Sequence, residues 1–202
     1  MLTIIFSLLA YLSGSVLYAS IFGNAFGKKA FYQNSADHNP GTANAYKYCG
    51  FWCGTLTLVC DLLKGFLPVF LYLRLVPDPE PWALSLVLAA PVVGHIFPVF
   101  QRFHGGKGIA TTFGCLLGLL PYGLPALLLA VTFIFLSVVL RITPHFYRTI
   151  AAYLSAALAM ILLRVVPAVW IGFLAITAAV CLRLYLSEEE KERFEVKLLW
   201  MR

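Results

Sequence analysis

Long apolar stretches alternate with short polar loops along the chain, and this pattern predicts helices that cross a membrane. A helix needs about 20 mainly apolar residues to span the hydrocarbon core of a bilayer. Seven apolar segments approach or reach that length, at positions 2–22, 51–76, 82–100, 108–120, 124–141, 147–165 and 167–186. The pattern therefore predicts an all-α fold, a polytopic membrane helical bundle with about seven transmembrane segments.

The fourth segment, 108–120, is too short to cross the membrane as a straight helix. About 12 residues at a rise of 1.5 Å give roughly 18 Å, whereas the hydrocarbon core is about 30 Å thick. Pro121 stops the segment, and Gly123 and Pro125 are typical turn residues. We expect a partial or tilted helix at this point.

Composition supports this interpretation and argues against a separate soluble domain. Hydrophobic residues make up 61% of the 202 residues and charged residues only 12%, with a mean hydropathy of +0.86. Soluble domains are about half apolar and a quarter charged. We therefore expect one integral membrane domain over 1–202. Because no basic residue precedes the first segment and Lys28 and Lys29 follow it, we expect a retained first helix rather than a signal peptide.

The net charge of +6 comes from residues at the ends of apolar segments, which points to a membrane and not to nucleic acid. Basic residues collect on the cytoplasmic side of membrane proteins. With the N-terminus outside, twelve of them fall on one face: Lys28, Lys29, Lys47, Arg102, Lys107, Arg141, Arg148, Arg183, Lys191, Arg193, Lys197 and Arg202. The other face keeps Arg74 and Arg164, and Lys64 lies inside a segment. The charges predict the N-terminus out, the C-terminus in and both polar loops in the cytoplasm.

Neither the cysteines nor the tail predicts a further site. The five cysteines form no CxxC pair and have no His/Asp cluster beside them, so we expect inert thiols, no metal and no cofactor. In the tail, Ser187 precedes a run of acidic residues, which predicts the N-cap of a short surface helix.

The loop "RFHGGKGIATTFG", residues 102–114, places a lysine among glycines between two apolar segments. Glycines allow positive φ and close approach of backbone N–H groups, and Lys107 adds a mobile positive charge, so the loop suits a phosphate. It is not a Walker A loop, because GxxxxGK[ST] is absent and no strand is predicted before it. An ordinary turn is the alternative.

Three ionisable residues lie inside apolar segments, where such groups are costly and often functional. His95 lies within the apolar run "APVVGHIFPVF". It is either a core histidine whose hydrogen bonds are satisfied inside the bundle or part of a functional site. Asp61 and Lys64 are three positions apart and so share one helix face, where they can pair. That pair is either purely structural or one wall of a polar site.

The loop "SADHNPGTANAYKYCG", residues 35–50, is the second polar loop on the predicted cytoplasmic face. Asn39, Gly41, Asn44 and Lys47 offer amide, backbone and ammonium groups, which suit an anion or a polar head group. Taken alone this would be an ordinary Asn/Pro/Gly loop, but two such loops on one predicted face are less easily explained as ordinary turns.

These motifs, in this order, resemble a known enzyme family. The stretches "GSVLYASIFG", "HNPGTANAYKYCG", "DLLKGFLPV" and "GHIFPVFQRFHGGKGIATTFG" are similar to the bacterial acyl-phosphate:glycerol-3-phosphate acyltransferases, small membrane enzymes of seven helices. The resemblance implies transfer of a fatty acyl group from acyl phosphate to the 1-hydroxyl of glycerol 3-phosphate. The product would be lysophosphatidic acid for phospholipid biosynthesis, made without a metal, an acyl carrier protein or a coenzyme A thioester.

The resemblance also implies which residues act and where. The implied catalytic residues are Lys107, His95 and Asn44. The implied substrate-binding residues are Asn39, Gly41, Thr42, Lys47, Gly105, Gly106 and Gly108. The implied location is the bacterial inner membrane, in contact with lipid, with the active site facing the cytoplasm.

The chain departs from the family's motifs at several positions. Asp37, Ala43 and Lys47 replace the usual serine, threonine and arginine of the first motif, and His104 stands where the second motif normally has lysine. An acidic group repels phosphate, and lysine lacks the bidentate fork of arginine. The usual serine-bearing stretch after the fifth segment reads "RITPHFYR" instead, and the closing asparagine and arginine motif is not recognisable.

These departures keep a second function open, a diverged paralogue that binds a phosphorylated lipid or metabolite without acyl transfer. A transporter is disfavoured because the polar groups gather at one face of the membrane. An HxxxxD acyltransferase is disfavoured because Phe100 stands five positions after His95. Without a catalytic triad we expect direct attack by the glycerol hydroxyl, whose proton goes to His95 or to the donor's phosphate.

Overall fold

The computed structural model of the chain describes residues 1–35, 37–187 and 194–199. Nine α-helices follow one another in these ranges: α1 (Leu2–Gly14), α2 (Tyr18–Ala25), α3 (Thr42–Asn44), α4 (Phe51–Leu75), α5 (Pro81–Ile96), α6 (Ile109–Leu117), α7 (Leu124–Ile134), α8 (His145–Leu162) and α9 (Pro167–Leu186). The remaining elements are 3₁₀ turns at Phe31–Asn34 and Val99–Gln101, π-helical turns at Ala45–Cys49 and Phe135–Val139, and the strands β1 (Ile142–Thr143) and β2 (Glu195–Val196). Each of the seven predicted apolar segments is therefore mainly helical.

Five helical segments of the described chain are long and apolar enough to cross a membrane: Leu2–Ala25, Phe51–Leu75, Pro81–Gln101, His145–Leu162 and Pro167–Leu186. The apolar segment Leu124–Val139 is shorter, and α6 has only 9 residues. The prediction of an all-α membrane bundle is confirmed, as is the short fourth helix. The count of seven spans and the orientation stay predictions.

The predicted first helix is interrupted between α1 and α2. The Ser15 hydroxyl donates to the Tyr11 carbonyl at 2.9 Å, and the Val16 carbonyl accepts from Lys64 Nζ on α4 at 2.7 Å. The Ser13 hydroxyl donates in turn to the Lys64 carbonyl at 3.3 Å. Because these contacts satisfy backbone groups near the break, the chain can turn inside an apolar bundle. Hydrophobic periodicity carries no signal of such a break.

Helix α5 lies at the centre of the bundle, packed against α1, α4, α6 and α9. It approaches α1 closely because Gly14 and Gly94 face the opposite backbone. A Cβ at Gly14 would overlap the Pro91 carbonyl, and one at Gly94 would overlap the Tyr11 carbonyl. Small residues allow this kind of helix contact in membranes. The packing fixes the C-terminal end of α5, which carries His95, beside α4 and the glycine loop.

The end of the described chain returns to the start of α8. In the antiparallel pair of β1 and β2, Ile142 is opposite Val196 and Thr143 is opposite Glu195. Ser187 follows the last residue of α9, and its hydroxyl donates to the Leu184 carbonyl at 2.8 Å. The surface helix predicted after Ser187 begins in residues 188–193, which lie outside the described residues.

Candidate active site

A cavity of about 500 Å³ lies between the first polar loop, α4, α5, α6 and the first residue of α8. Its polar lining consists mainly of Asp37, Asn39, Thr42, Asn44, Asp61, His95 and Lys107. Apolar lining comes from Leu58 on α4 and from Ile109, Ala110 and Phe113 on α6. The cavity therefore combines charged and apolar walls, which suits an amphiphilic ligand.

Lys107 reaches this cavity because the glycines around it hold the loop against α5. Gly106 donates its N–H to the His95 carbonyl at 3.1 Å, and a Cβ at Gly106 would overlap the His95 ring. Gly108 precedes α6 with φ of 80°, a left-handed conformation that glycine adopts without strain. Lys107 is only 8% exposed, and its Nζ lies 2.9 Å from Asp37 Oδ2.

The Asp37 carboxylate also collects donors from its own loop. Its Oδ1 accepts from Asn44 Nδ2 at 2.8 Å, from the Ser35 hydroxyl at 3.1 Å and from the Asn39 N–H at 3.4 Å. Burial raises the pKa of Asp37, but the hydrogen bonds from Lys107, Asn44 and Ser35 and the charge of Lys107 lower it by more. The net pKa lies below the ordinary value, so Asp37 is ionised at neutral pH and forms a charged pair with Lys107.

A second polar cluster joins α4 and α5. Lys64 Nζ contacts three acceptors: Asp61 Oδ1 at 2.9 Å, the Val16 carbonyl at 2.7 Å and His95 Nδ1 at 2.7 Å. The Thr42 hydroxyl donates to Asp61 Oδ2 at 3.4 Å. Lys64 therefore forms an ion pair with Asp61 and hydrogen bonds with Val16 and His95. The predicted pairing of Asp61 with Lys64 is confirmed.

The contact with Lys64 assigns the tautomer of His95. Because the ammonium donates to Nδ1, that nitrogen is the acceptor, and the proton of the neutral ring sits on Nε2. The Nε2 edge faces Gly106, next to Lys107. His95 therefore presents a hydrogen-bond donor on the side of the glycine loop rather than a free lone pair.

Most of the predicted site residues meet at one cavity. Those that line it are Lys107, His95, Asn44, Asn39, Gly41, Thr42 and Gly108. Gly105 and Gly106 pack against the end of α5 and position the loop. Lys47 does not reach the cavity, because its side chain is exposed and its Nζ lies 5.1 Å from the centroid of the Tyr48 ring. The substrate-binding role predicted for Lys47 has no support in this geometry.

Comparison with known proteins places the chain in a family. A family model described as glycerol-3-phosphate acyltransferase matches residues 4–192. The chain belongs to the glycerol-3-phosphate acyltransferase family. This finding confirms the family resemblance seen in the motifs.

Relatives and solved structures of this acyltransferase family agree with the match. The glycerol-3-phosphate acyltransferase of Pseudoalteromonas translucida is 39% identical over 160 residues, which cover 79% of this chain and 73% of that protein. The one from Rubrobacter xylanophilus is 42% identical over 121 residues, 60% of this chain and 59% of that protein. The chain is also similar to two crystal structures of PlsY, an integral membrane glycerol 3-phosphate acyltransferase. Each similarity covers 91% of this chain and 88% of the PlsY chain. The glycerol 3-phosphate form has a TM-score of 0.76 at 28% identity, and the lysophosphatidic acid form has 0.74 at 27%.

Three residues around the candidate site were not predicted as parts of it. Asp37 and the stretch that contains His145 stood out only as departures from the family's motifs. His145 begins α8 and lines the cavity, with its Nδ1 3.0 Å from Arg148 Nη2. Arg183 on α9 donates from Nη2 to the Gly105 carbonyl at 2.8 Å. No sequence signal links Arg183 to the glycine loop, because the contact joins elements that are distant along the chain.

Proposed function

We propose that this acyltransferase transfers a fatty acyl group from acyl phosphate to the 1-hydroxyl of glycerol 3-phosphate and releases lysophosphatidic acid. The observation that supports it most is the single cavity in which Lys107, Asn39 and Asn44 stand beside Leu58 and Phe113. Ammonium and amide groups bind phosphate, and apolar walls accept an acyl chain. The glycerol 3-phosphate and lysophosphatidic acid forms of PlsY support the same acceptor and product.

The reaction requires the enzyme to stabilise negative charge on the phosphate that leaves. The glycerol oxygen attacks the acyl carbonyl carbon, and the bond from that carbon to the phosphate oxygen breaks. The hydroxyl proton ends on the released phosphate. Lys107, held by the glycine loop, supplies positive charge at the cavity wall. Preorganised charge of this kind is usually the largest single contribution to catalysis.

In this proposal His95 is a hydrogen-bond donor and not the base. Its Nδ1 accepts from Lys64, and Nε2 carries the ring proton. A general base needs a lone pair within reach of the proton that it removes, and the neutral ring has none to spare. The donor's own phosphate therefore takes the proton of the glycerol hydroxyl.

We also propose that the site faces the cytoplasm of a bacterial cell, in a multi-pass protein of the inner membrane. The two loops of the site carry Lys47, Arg102 and Lys107, and they belong to the predicted face with most of the basic residues. In this orientation the N-terminus is outside and the C-terminus inside. The short helices α6 and α7 then complete seven membrane segments.

A turnover assay on the detergent-purified full chain tests the activity, with palmitoyl phosphate and radiolabelled glycerol 3-phosphate as substrates. We expect radiolabelled lysophosphatidic acid from the native protein. Lys107→Ala should lower kcat/KM at least about a hundredfold, the loss typical of removing one donor that stabilises transition-state charge. Lys197→Ala is the matched control, because Lys197 pairs with Glu195 at 2.9 Å on the exposed surface, and it should keep native activity.

The contrary outcomes distinguish a wrong activity from a wrong role for Lys107. No product from folded native protein would sink the acyltransferase proposal and favour a diverged paralogue that only binds a phosphorylated lipid or metabolite. Equal kcat/KM in Lys107→Ala and in native protein would leave the activity in place and remove Lys107 from the mechanism.

A further inference from the structure

The donors of the candidate phosphate site are turned toward an acidic side chain of the protein itself. Asp37 Oδ2 lies 2.9 Å from Lys107 Nζ, and Oδ1 accepts from Asn44 Nδ2 at 2.8 Å, from the Ser35 hydroxyl at 3.1 Å and from the Asn39 N–H at 3.4 Å. Ammonium, amide, hydroxyl and backbone N–H groups are the donors that a phosphate also binds. The carboxylate therefore occupies the position of an anionic ligand.

A phosphate that binds to these donors has to compete with Asp37. The amide of Asn44 already donates to the Asn39 carbonyl at 2.9 Å as well as to Asp37, and an amide nitrogen has only two hydrogens. A phosphate placed beside Asp37 without displacing it would also bring two negative charges together, which is costly in a partly buried site. Lys107 and Asp37 have side chains only 9% and 17% exposed, so water screens them little.

A second cavity gives the carboxylate somewhere to move. This cavity, of about 300 Å³, shares Asp37 with the first one, and Arg183, His38 and His104 lie in its wall. Arg183 uses Nη2 to bind the Gly105 carbonyl, and its buried Nε has no hydrogen-bond partner among residues 1–35, 37–187 and 194–199. A guanidinium with an unused donor is a suitable partner for a displaced carboxylate.

We propose that Asp37 is an internal anion of the phosphate site, which holds Lys107 and Asn44 when the site is empty. The phosphate group of a phosphate-monoester substrate displaces the carboxylate toward Arg183 in the second cavity. The inference rests on the proposed function, because that function brings a phosphate monoester, glycerol 3-phosphate, into the cavity that Lys107 and Asn44 line. Asp37 then lowers the affinity for substrate, since part of the binding energy is used to displace it.

Equilibrium binding of radiolabelled glycerol 3-phosphate to the detergent-purified full chain tests this proposal. Asp37→Asn keeps the size of the side chain and removes its charge, and it should tighten binding about tenfold, as expected for the loss of one competing charge-assisted contact. Glu195→Gln is the matched control, because Glu195 pairs with Lys197 on the exposed surface, and its binding should equal native. Unchanged or weaker binding by folded Asp37→Asn would overturn the proposal.

Arg183→Gln tests the place to which the carboxylate moves. In the native background it should weaken glycerol 3-phosphate binding several-fold, because the displaced carboxylate loses its partner. In the Asp37→Asn background the same change should have no effect, since there is no carboxylate to receive. An equal loss in both backgrounds would mean that Arg183 binds the phosphate directly or only supports the fold, and the displacement would be refuted.

The turnover assay distinguishes this inference from the proposed function. If native protein forms lysophosphatidic acid while Asp37→Asn leaves the KM for glycerol 3-phosphate unchanged, only the role of Asp37 fails. If native protein forms no product but Asp37→Asn still tightens the binding of glycerol 3-phosphate and of inorganic phosphate, the activity fails and the internal anion stands.

Discussion

Two lysine–aspartate pairs with the same 2.9 Å separation have different roles in this molecule. Lys64 and Asp61 lie one turn apart on α4, and their side chains are 1% and 2% exposed. Lys107 and Asp37 come from different loops and are 9% and 17% exposed. The separation of the charges is the same, but the access of water and of ligands is not.

The difference lies in what each lysine can still bind. Lys64 forms an ion pair with Asp61 and hydrogen bonds with Val16 and His95, all inside the bundle. Of this first pair only Asp61 reaches the cavity wall, whereas Lys107 and its partner Asp37 both line that cavity. A lysine whose partners all lie inside the bundle holds helices in place, whereas a lysine at a cavity wall can exchange its partner for a ligand. We therefore regard the pair on α4 as a structural support and the pair between the loops as the chemical site.

The largest effect that would test this division is on stability. Lys64→Ala leaves the Asp61 carboxylate buried without its charged partner and removes the contacts to Val16 and His95, so we expect a loss of about 3–5 kcal/mol. Lys107→Ala should cost only about 1 kcal/mol, because Asp37 keeps three other donors and a typical hydrogen bond contributes about that much. Thermal unfolding in one detergent measures both.

A double variant controls for the loss of side-chain volume. Lys64→Met with Asp61→Asn removes both charges together, so it should recover part of the stability lost in Lys64→Ala. If Lys64→Ala and Lys107→Ala lower the Tm by the same amount, the two pairs do not differ in the way described.

A smaller effect tests whether the cluster around Lys64 takes part in proton transfer. Glutamine at position 95 can accept from Lys64 but cannot act as a base near neutral pH. We expect His95→Gln to lower kcat less than about tenfold and to keep the shape of its pH profile, whereas loss of a general base typically costs about a hundredfold or more. A larger loss in folded protein, accompanied by a changed pH profile, would make His95 the base.

Local patterns in the sequence predicted the parts of the molecule that depend on neighbours along the chain. The apolar segments became helices, the short segment at 108–120 became the nine-residue α6, and the spacing of Asp61 and Lys64 became an ion pair. Each of these follows from helix geometry or from hydrophobic length alone. The break after Gly14 was missed, because the contacts that satisfy it come from α4.

The site itself was predicted only in part, because its contacts join distant loops. The motifs named Lys107, Asn39 and Asn44, which do share one cavity. They could not show that Asp37, read as a repulsive departure, pairs with Lys107. They also placed Lys47 in the site, where the structure shows an exposed side chain over the Tyr48 ring, outside the residues that line the cavity. A position in a motif fixes the backbone neighbourhood but not the direction of a side chain.

The smallest effect concerns the stability that the Asp37–Lys107 pair gives to the empty site. The pKa of Asp37 is lowered by its donors, so its carboxylate stabilises the fold above the unfolded pKa of about 3.9, and this contribution is lost as pH falls through the folded pKa. Asp37→Asn should therefore unfold more easily than native by about 1 kcal/mol at pH 7 and at pH 5. The two Tm values should converge only below about pH 4.

Glu195→Gln serves as the control for this pH series, because its pair with Lys197 is exposed and should add little at any pH. Convergence of native and Asp37→Asn already between pH 7 and pH 5 would mean that the pKa of Asp37 is raised, as for a carboxyl buried without donors. The site would then hold a neutral acid at Lys107, and phosphate would have no charge to displace. Persistence of the difference to pH 5, together with tighter binding by Asp37→Asn, would show one charge that stabilises the empty site and opposes the ligand.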